Sequence, residues 1–270
     1  MLQALDLGRV RLALILDAHG QNDGNRVFFP ATREEWSPGL CLDPEGNVPT
    51  VVRALLISEG DRHTLVDTGF GDQERADRPE RIIRNLSKLG LQPGDISRVI
   101  ITHAHGDHVM GNTVEQSGRW LPAYPSAEYV IQEKEIAAMR EEEHAVWRTR
   151  FQPLVEHGLL RTIDGWTELS DALVCWPSPG HTAGHQSVLI RTTRRQVLAI
   201  GDLGILAKNF EHPEWGPSWA WSWDVDAESR HRVCEWAVEN GAILFVGHDP
   251  QHPWITLERA GEGYRFMDVA

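Results

Sequence analysis

Cysteine is scarce in this 270-residue chain. The three that occur, Cys41, Cys175 and Cys234, lie far apart with no Cys-x-x-Cys pair. That spacing excludes a disulfide framework and a cysteine zinc site, and fits a reducing compartment. Positive charge is also short: 26 Lys and Arg stand against 39 Asp and Glu, a formal net charge of −13. A surface of that sign repels polyanions, so neither nucleic acid nor an anionic membrane is an expected partner. No run approaches the roughly 18 apolar residues that a membrane span needs. The apolar run within residues 1–20 is broken by Asp6, Arg9 and Arg11 and lacks a basic start, unlike a secretory signal. A cytoplasmic protein is the expectation.

What is present is the mix of a globular domain, 41% hydrophobic and 24% charged. Short β-branched and apolar runs at Val10–Leu16, Val51–Ile57, Thr64–Asp67, Val99–Thr102, Val188–Arg191, Val197–Ile200 and Ile243–Val246 read as strands. Helical spacing predicts helices over Pro79–Leu89, Gln132–Val146 and Ala227–Asn240, the first and last followed by Gly90 and Gly241. Such alternation implies a layered arrangement of sheets and helices. No Pro/Ser-rich linker divides the chain, so one domain over residues 1–270 is expected. A faint echo runs through it. Two strands end in an acidic residue within two positions of a glycine (Asp67, Asp202), and two end at a histidine (His103, His248). Residues 21–47 and 203–224, the latter holding Trp215, Trp219, Trp221 and Trp223, are long irregular segments of the kind that often carry function.

The chemistry concentrates in Thr102-His103-Ala104-His105-Gly106-Asp107-His108, directly after an apolar strand. Three imidazoles and a carboxylate in six positions are the ligand types that zinc and other borderline metals prefer, and Gly106 is expected to let the chain turn so that they converge. One short loop cannot close a two-metal site. Further donors are available downstream at Pro179-Gly180-His181-Thr182-Ala183-Gly184-His185, at Gly201-Asp202 and at Gly247-His248, each beside a glycine.

The succession LVDTG, HAHGDH, PGHTAGH, GD and GH resembles the metallo-β-lactamase superfamily of metallohydrolases, from about Leu65 to the C-terminus. The resemblance implies an α+β fold, an αββα sandwich of two mixed β-sheets with outer helices. It implies two divalent metal ions, with His103, His105 and His181 holding the first, Asp107, His108 and His248 the second, and Asp202 bridging. Zinc is the expected metal, with iron, manganese or cobalt able to use the same donors. Asp67 would orient a ligand, and His185 is read as structural. Two such cations lower the pKa of a shared water to about 7 and polarise the bond under attack. Asp107, beside that water, is the expected catalytic residue, passing a proton to the leaving group.

Within the superfamily, a carboxylate rather than cysteine at position 202 and the acidic surface point away from many β-lactamases and from the nucleases. What remains is the small-molecule lactonase and esterase group. His212-Pro213-Glu214-Trp215 and Phe28-Phe29-Pro30 with Trp36 are similar to its methyl-parathion-hydrolase-like members. The chain departs from the quorum-quenching lactonases in having no tyrosine at 203–206. The implied activity is hydrolysis of a small apolar lactone or ester. The alternatives are a phosphotriesterase-type hydrolase and a mononuclear iron persulfide dioxygenase on the same fold. Trp215 and Trp219 are expected at the substrate as an apolar wall or else as packing for their loop, and Phe28, Phe29 and Trp36 are expected to line the pocket in the second case. The resemblance also implies a homodimer.

Overall fold

The computed structural model describes residues 4–71, 81–141 and 145–269. In chain order the strands are β1 (Ala4–Asp6), β2 (Val10–Asn22), β3 (Val48–Glu59), β4 (Arg62–Val66), β5 (Ile96–Ile100), β6 (Thr113–Gln116), β7 (Arg119–Pro122), β8 (Glu128–Gln132) and β9 (Leu160–Ile163). They continue as β10 (Thr167–Glu168), β11 (Leu173–Pro177), β12 (Gln186–Ile190), β13 (Val197–Ala199), β14 (Ile243–Phe245), β15 (Trp254–Ala260) and β16 (Gly263–Asp268). The helices are α1 (Gly24–Val27), α2 (Arg33–Trp36), α3 (Ile82–Lys88), α4 (Gly106–Val109), α5 (Glu133–Glu141), α6 (Gln152–Glu156) and α7 (Trp223–Asn240).

The chain divides into two compact units, residues 1–18 with 52–167 and residues 19–51 with 168–270. Each is built on a mixed seven-stranded sheet. The first sheet has the order β1-β2-β3-β4-β5-β8-β9; the last residues of β2 and the first of β3 count with the second unit. Strand β3 pairs antiparallel with β4, and β4, β5, β8 and β9 run parallel. Ile82 and Leu86 of α3, Ile136 and Met139 of α5 and Leu154 of α6 pack with Leu65, Val99, Tyr129 and Ile131 of the sheet. Because β4 and β5 are parallel in the register Val66↔Ile100, the residues that follow them, Asp67 and Thr102-His103, emerge at one sheet edge.

The second sheet runs β10 through β16 in sequence order. Strands β12, β13 and β14 are buried at every position, the pattern of strands covered on both faces. The pairing of β12 with β13 is antiparallel and that of β13 with β14 is parallel. The start of β12 and the ends of β13 and β14 therefore share an edge, which carries His181, Asp202 and His248. Val233, Cys234 and Ala237 of α7 pack with Leu198, Leu244 and Ile255. A smaller cluster gathers Val27, Phe28, Trp36, Val48, Ile205 and Leu206.

Each strand run read from the sequence is a strand, with ends shifted by a few residues. Helix α7 starts at Trp223, with Ser222 as N-cap, and ends at Gly241 in left-handed backbone (φ 54°). Asp226 therefore lies inside its first turn and not before it. Pro79 and Glu80 of the expected first helix, and residues 142–144 of the expected second, lie outside the described residues. Among the described residues no helix is long and apolar enough to cross a membrane.

Candidate metal centre

In the first unit the donors come from one loop. His103, wholly buried, follows β5, and its Nε2 lies 3.0 Å from Nδ1 of His105. The His103 and His108 rings are 4.1 Å apart. His105 is the N-cap of α4, whose single turn carries Asp107 and His108. Gly106 opens that turn without a positive φ, and a methyl group there would meet its nearest neighbour at an ordinary 3.6 Å. The convergence thus comes from the helical turn and not, as expected, from glycine's freedom. Glycine is required instead at Gly111, where a Cβ would lie 2.0 Å from the Thr68 carbonyl oxygen.

Asp67 holds this loop. Itself in left-handed backbone (φ 63°), it accepts from the Thr102 N–H and the Thr102 hydroxyl, both at 2.8 Å, and faces His108 Nδ1 at 2.8 Å. An Nδ1–H donated to Asp67 leaves the His108 Nε2 lone pair for a metal, the usual carboxylate–histidine arrangement. Nε2 is 3.6 Å from Asp107 Oδ2. From α5, buried Glu135 accepts the Ala104 N–H at 3.0 Å.

In the second unit three separated segments meet. The two oxygens of Asp202 face different histidines: Oδ1 is 2.9 Å from His248 Nε2, and Oδ2 is 3.3 Å from His181 Nε2. His248 Nδ1 donates to the Val51 carbonyl at 2.7 Å. A neutral His248 so bonded carries a lone pair on Nε2, directed at a carboxylate oxygen. Two lone pairs at that distance repel unless a positive charge joins them, and the N/O donor set is one that divalent borderline metals take. The donor chemistry therefore fits a metal.

His185 is buried and holds backbone. Its Nδ1 donates to the Ser178 carbonyl at 2.8 Å, leaving Nε2 to accept the Asp202 N–H at 3.1 Å. Asp249 accepts the N–H groups of Ala207, Gln251 and His252 at 2.8–2.9 Å, tying the turn after His248 to the segment after Asp202.

A family model described as the metallo-beta-lactamase superfamily matches residues 47–253, most of the chain. The chain belongs to the metallo-β-lactamase superfamily. Its two mixed sheets and their helices are of the α+β sandwich class expected for that superfamily. N-acyl homoserine lactonase AiiA of Bacillus thuringiensis subsp. kurstaki is 28% identical over 245 residues, 82% of this chain and 92% of the relative. A probable metal-dependent hydrolase from Staphylococcus aureus has a TM-score of 0.84 at 18% identity, covering 98% of this chain and 99% of that one. AidC, a dizinc quorum-quenching lactonase, has a TM-score of 0.81 at 19% identity, covering 100% and 97%. The last two likenesses concern the fold.

The aromatic residues separate into two groups. Phe28 and Trp36 are 0% and 1% exposed and stack at 5.6 Å inside the small cluster, with Trp215 and Trp219 half-buried against it. Phe28 and Trp36 offer a substrate no surface, which corrects the expectation for them. Phe29, at 44% exposure, meets Trp223 edge to face, and Trp221 is 65% exposed. The Trp221 backbone N–H donates to the backbone carbonyl of His181 at 2.9 Å, so the chain at Trp221 runs beside a candidate ligand. Sequence reading names Trp221 only among the tryptophans of residues 203–224, and singles out none of Glu135, Asp249, Asp226 and Arg230 for the site. Only the last two leave a signal, an acid–base pair four residues apart in α7. Burial raises the Asp226 carboxyl above its ordinary value, opposed by the Arg230 guanidinium beside it.

Proposed function

We propose that this metal-dependent hydrolase opens a small apolar lactone or carboxylic ester with two divalent ions, zinc in the first instance. His103, His105 and His181 would hold one ion, and Asp107, His108 and His248 the other. Asp202 would lie between them, in one catalytic domain spanning residues 1–270. The observation that carries the reading is Asp202, whose two oxygens address two histidine Nε2 atoms at 3.3 and 2.9 Å. The lactone class is supported by N-acyl homoserine lactonase relatives that align over 82% of the chain.

When bound, the ions acidify a water and polarise the carbonyl under attack. The chain's own residues do the rest. Asp67 and the Val51 carbonyl fix His108 and His248 with Nε2 available. Asp107, whose side chain keeps 29% exposure, would take a proton and return it to the departing alkoxide. Phe29, Trp215, Trp219 and Trp221 supply apolar contact for the remainder of the substrate.

The test is a hydrolysis panel on protein reconstituted with zinc, manganese or cobalt: γ- and δ-lactones including an N-acyl homoserine lactone, aryl esters, a phosphotriester and a cephalosporin. Lactone or ester turnover should lead, the phosphotriester follow, and the β-lactam come last. Phosphotriester turnover above all carboxylic substrates would overturn the substrate class. Oxygen uptake with a persulfide and no hydrolysis would overturn the reaction.

A further inference from the structure

An acid–base pair at i and i+4 on a helix is ordinarily a surface feature worth a few tenths of a kcal/mol. Asp226 and Arg230 on α7 form such a pair with both side chains at 0% exposure. Withdrawing two charges from water costs several kcal/mol per ion, so a buried pair is weak evidence of stabilisation. Its role is read from what each atom holds.

The Arg230 Nε donates to the Pro213 carbonyl at 2.8 Å. Its Nη1 donates to Asp226 Oδ2 at 2.6 Å and also to the carbonyl of Leu203, the residue after Asp202. The backbone N–H of His181 lies close enough to the Asp226 carboxyl to draw its pKa down against the effect of burial. The same helical segment grips the chain around His181 at further points. Ser229 Oγ donates to the Pro179 carbonyl at 2.6 Å, and the Ser222 N–H donates to Gly180 at 3.0 Å. Gly180 has φ 135°, and a Cβ there would lie 2.2 Å from the backbone of Asp226. Gly216 closes on the pair from the other side, where a Cβ would lie 2.2 Å from Arg230 Nη2.

One ion pair thus reaches the backbone beside two candidate ligands that are 21 positions apart in sequence (202 − 181 = 21). It touches neither ligand's side chain. We infer that Asp226 and Arg230 are positioning residues that fix His181 against Asp202 and so set how tightly the metal is held. The inference rests on the reading of His181 and Asp202 as ligands.

The experiment compares zinc retention by the full-length holoprotein, measured by chelator competition, with the melting temperature of the metal-stripped protein. The variants are Asp226→Asn and the double replacement Asp226→Leu with Arg230→Met. Zinc should be lost about 10- to 100-fold more readily in both, as when a partner of a metal ligand is removed. Replacing a buried pair by apolar residues of similar volume is often neutral or stabilising. The stripped double variant should therefore melt at or above the parent, a split that a merely structural pair would not produce. If Asp226→Asn does not fold, the double variant decides. Zinc retention within twofold of the parent, with His181→Ala and Asp202→Ala losing zinc, overturns the positioning role alone. If His181→Ala and Asp202→Ala also keep zinc at parental affinity, the ligand reading falls and this inference with it.

Discussion

The two units present donors in opposite ways. In the first, His103, His105, Asp107 and His108 lie within six consecutive positions, and one helical turn after β5 sets their mutual geometry. In the second, His181, Asp202 and His248 belong to three strand ends, brought together because β12, β13 and β14 are neighbours in one sheet. The supports differ accordingly. Carboxylates from other elements, Asp67 and Glu135, hold the first set. The second is held mainly through its backbone, by His185, Asp249 and the Asp226–Arg230 pair. Local sequence can gather one set of donors; the other set comes together only once a sheet has formed.

The largest effect that could break this comparison is removal of one donor from each set. His103→Ala and His248→Ala should each abolish hydrolysis and reduce bound metal, measured by elemental analysis of the purified holoprotein. If the His248 variant retained full metal and turnover, the loop set would suffice alone and the second set would have another purpose. A smaller effect comes from the supports. Asp67→Asn weakens three contacts to Thr102 and His108 and should lower zinc affinity about 10- to 100-fold. Glu135→Gln alters one hydrogen bond to Ala104, a change of about 1 kcal/mol and so about fivefold. The reverse order in chelator competition would place the burden of the loop on α5.

The same contrast explains what was legible in the sequence. The His103–His108 loop shows because its donors are adjacent, and the strand before it shows because Val99, Ile100 and Ile101 are an uninterrupted apolar run. Asp202 and His248 carry no local signal beyond a glycine neighbour, and only the succession of family motifs picks them out. Glu135 sits in a Glu-rich helix whose letters describe a solvated face, and Arg230 four residues after Asp226 reads as a surface pair. Their burial is decided by packing, which sequence spacing does not encode. Strands β15 and β16 are equally hidden, because Glu258, Arg259 and Arg265 interrupt the apolar pattern while Ile255 and Leu257 face the core. Trp36 and Trp221 have the same letter and opposite environments.

That last pair gives a prediction confined to the second unit. Trp36→Ala empties a core position where the ring stacks on Phe28 and donates Nε1–H to Asn25 at 3.1 Å. It should cost about 3–5 kcal/mol of stability, read from denaturant unfolding. Trp221→Ala removes an exposed ring and should leave that measurement unchanged within about 0.5 kcal/mol. Its effect should appear in the KM for long-chain lactones, raised severalfold against short ones, with kcat little altered because the lost contact is uniform binding. Equal KM values across chain lengths would remove Trp221 from the substrate.

A test of opening uses the cysteines, all three of which fall in the second unit. Cys41 is exposed, while Cys175 and Cys234 are buried, and burial raises the Cys234 thiol far above its ordinary value. A thiol reagent should therefore modify Cys41 at once and reach the other two only through opening, at a rate that follows the open fraction. The first unit contains no cysteine, so the slow phase reports on the second alone. Zinc bound only to the closed form adds about 4 kcal/mol of protection at free metal 1,000 times its Kd. If the opening that exposes Cys234 also separates Asp202 from His181 and His248, zinc should slow the late phase by about a thousandfold. A late phase indifferent to zinc would mean that α7 opens without disturbing the three strand ends. The dispersed donors of the second unit would then be as self-sufficient as the His103–His108 loop of the first.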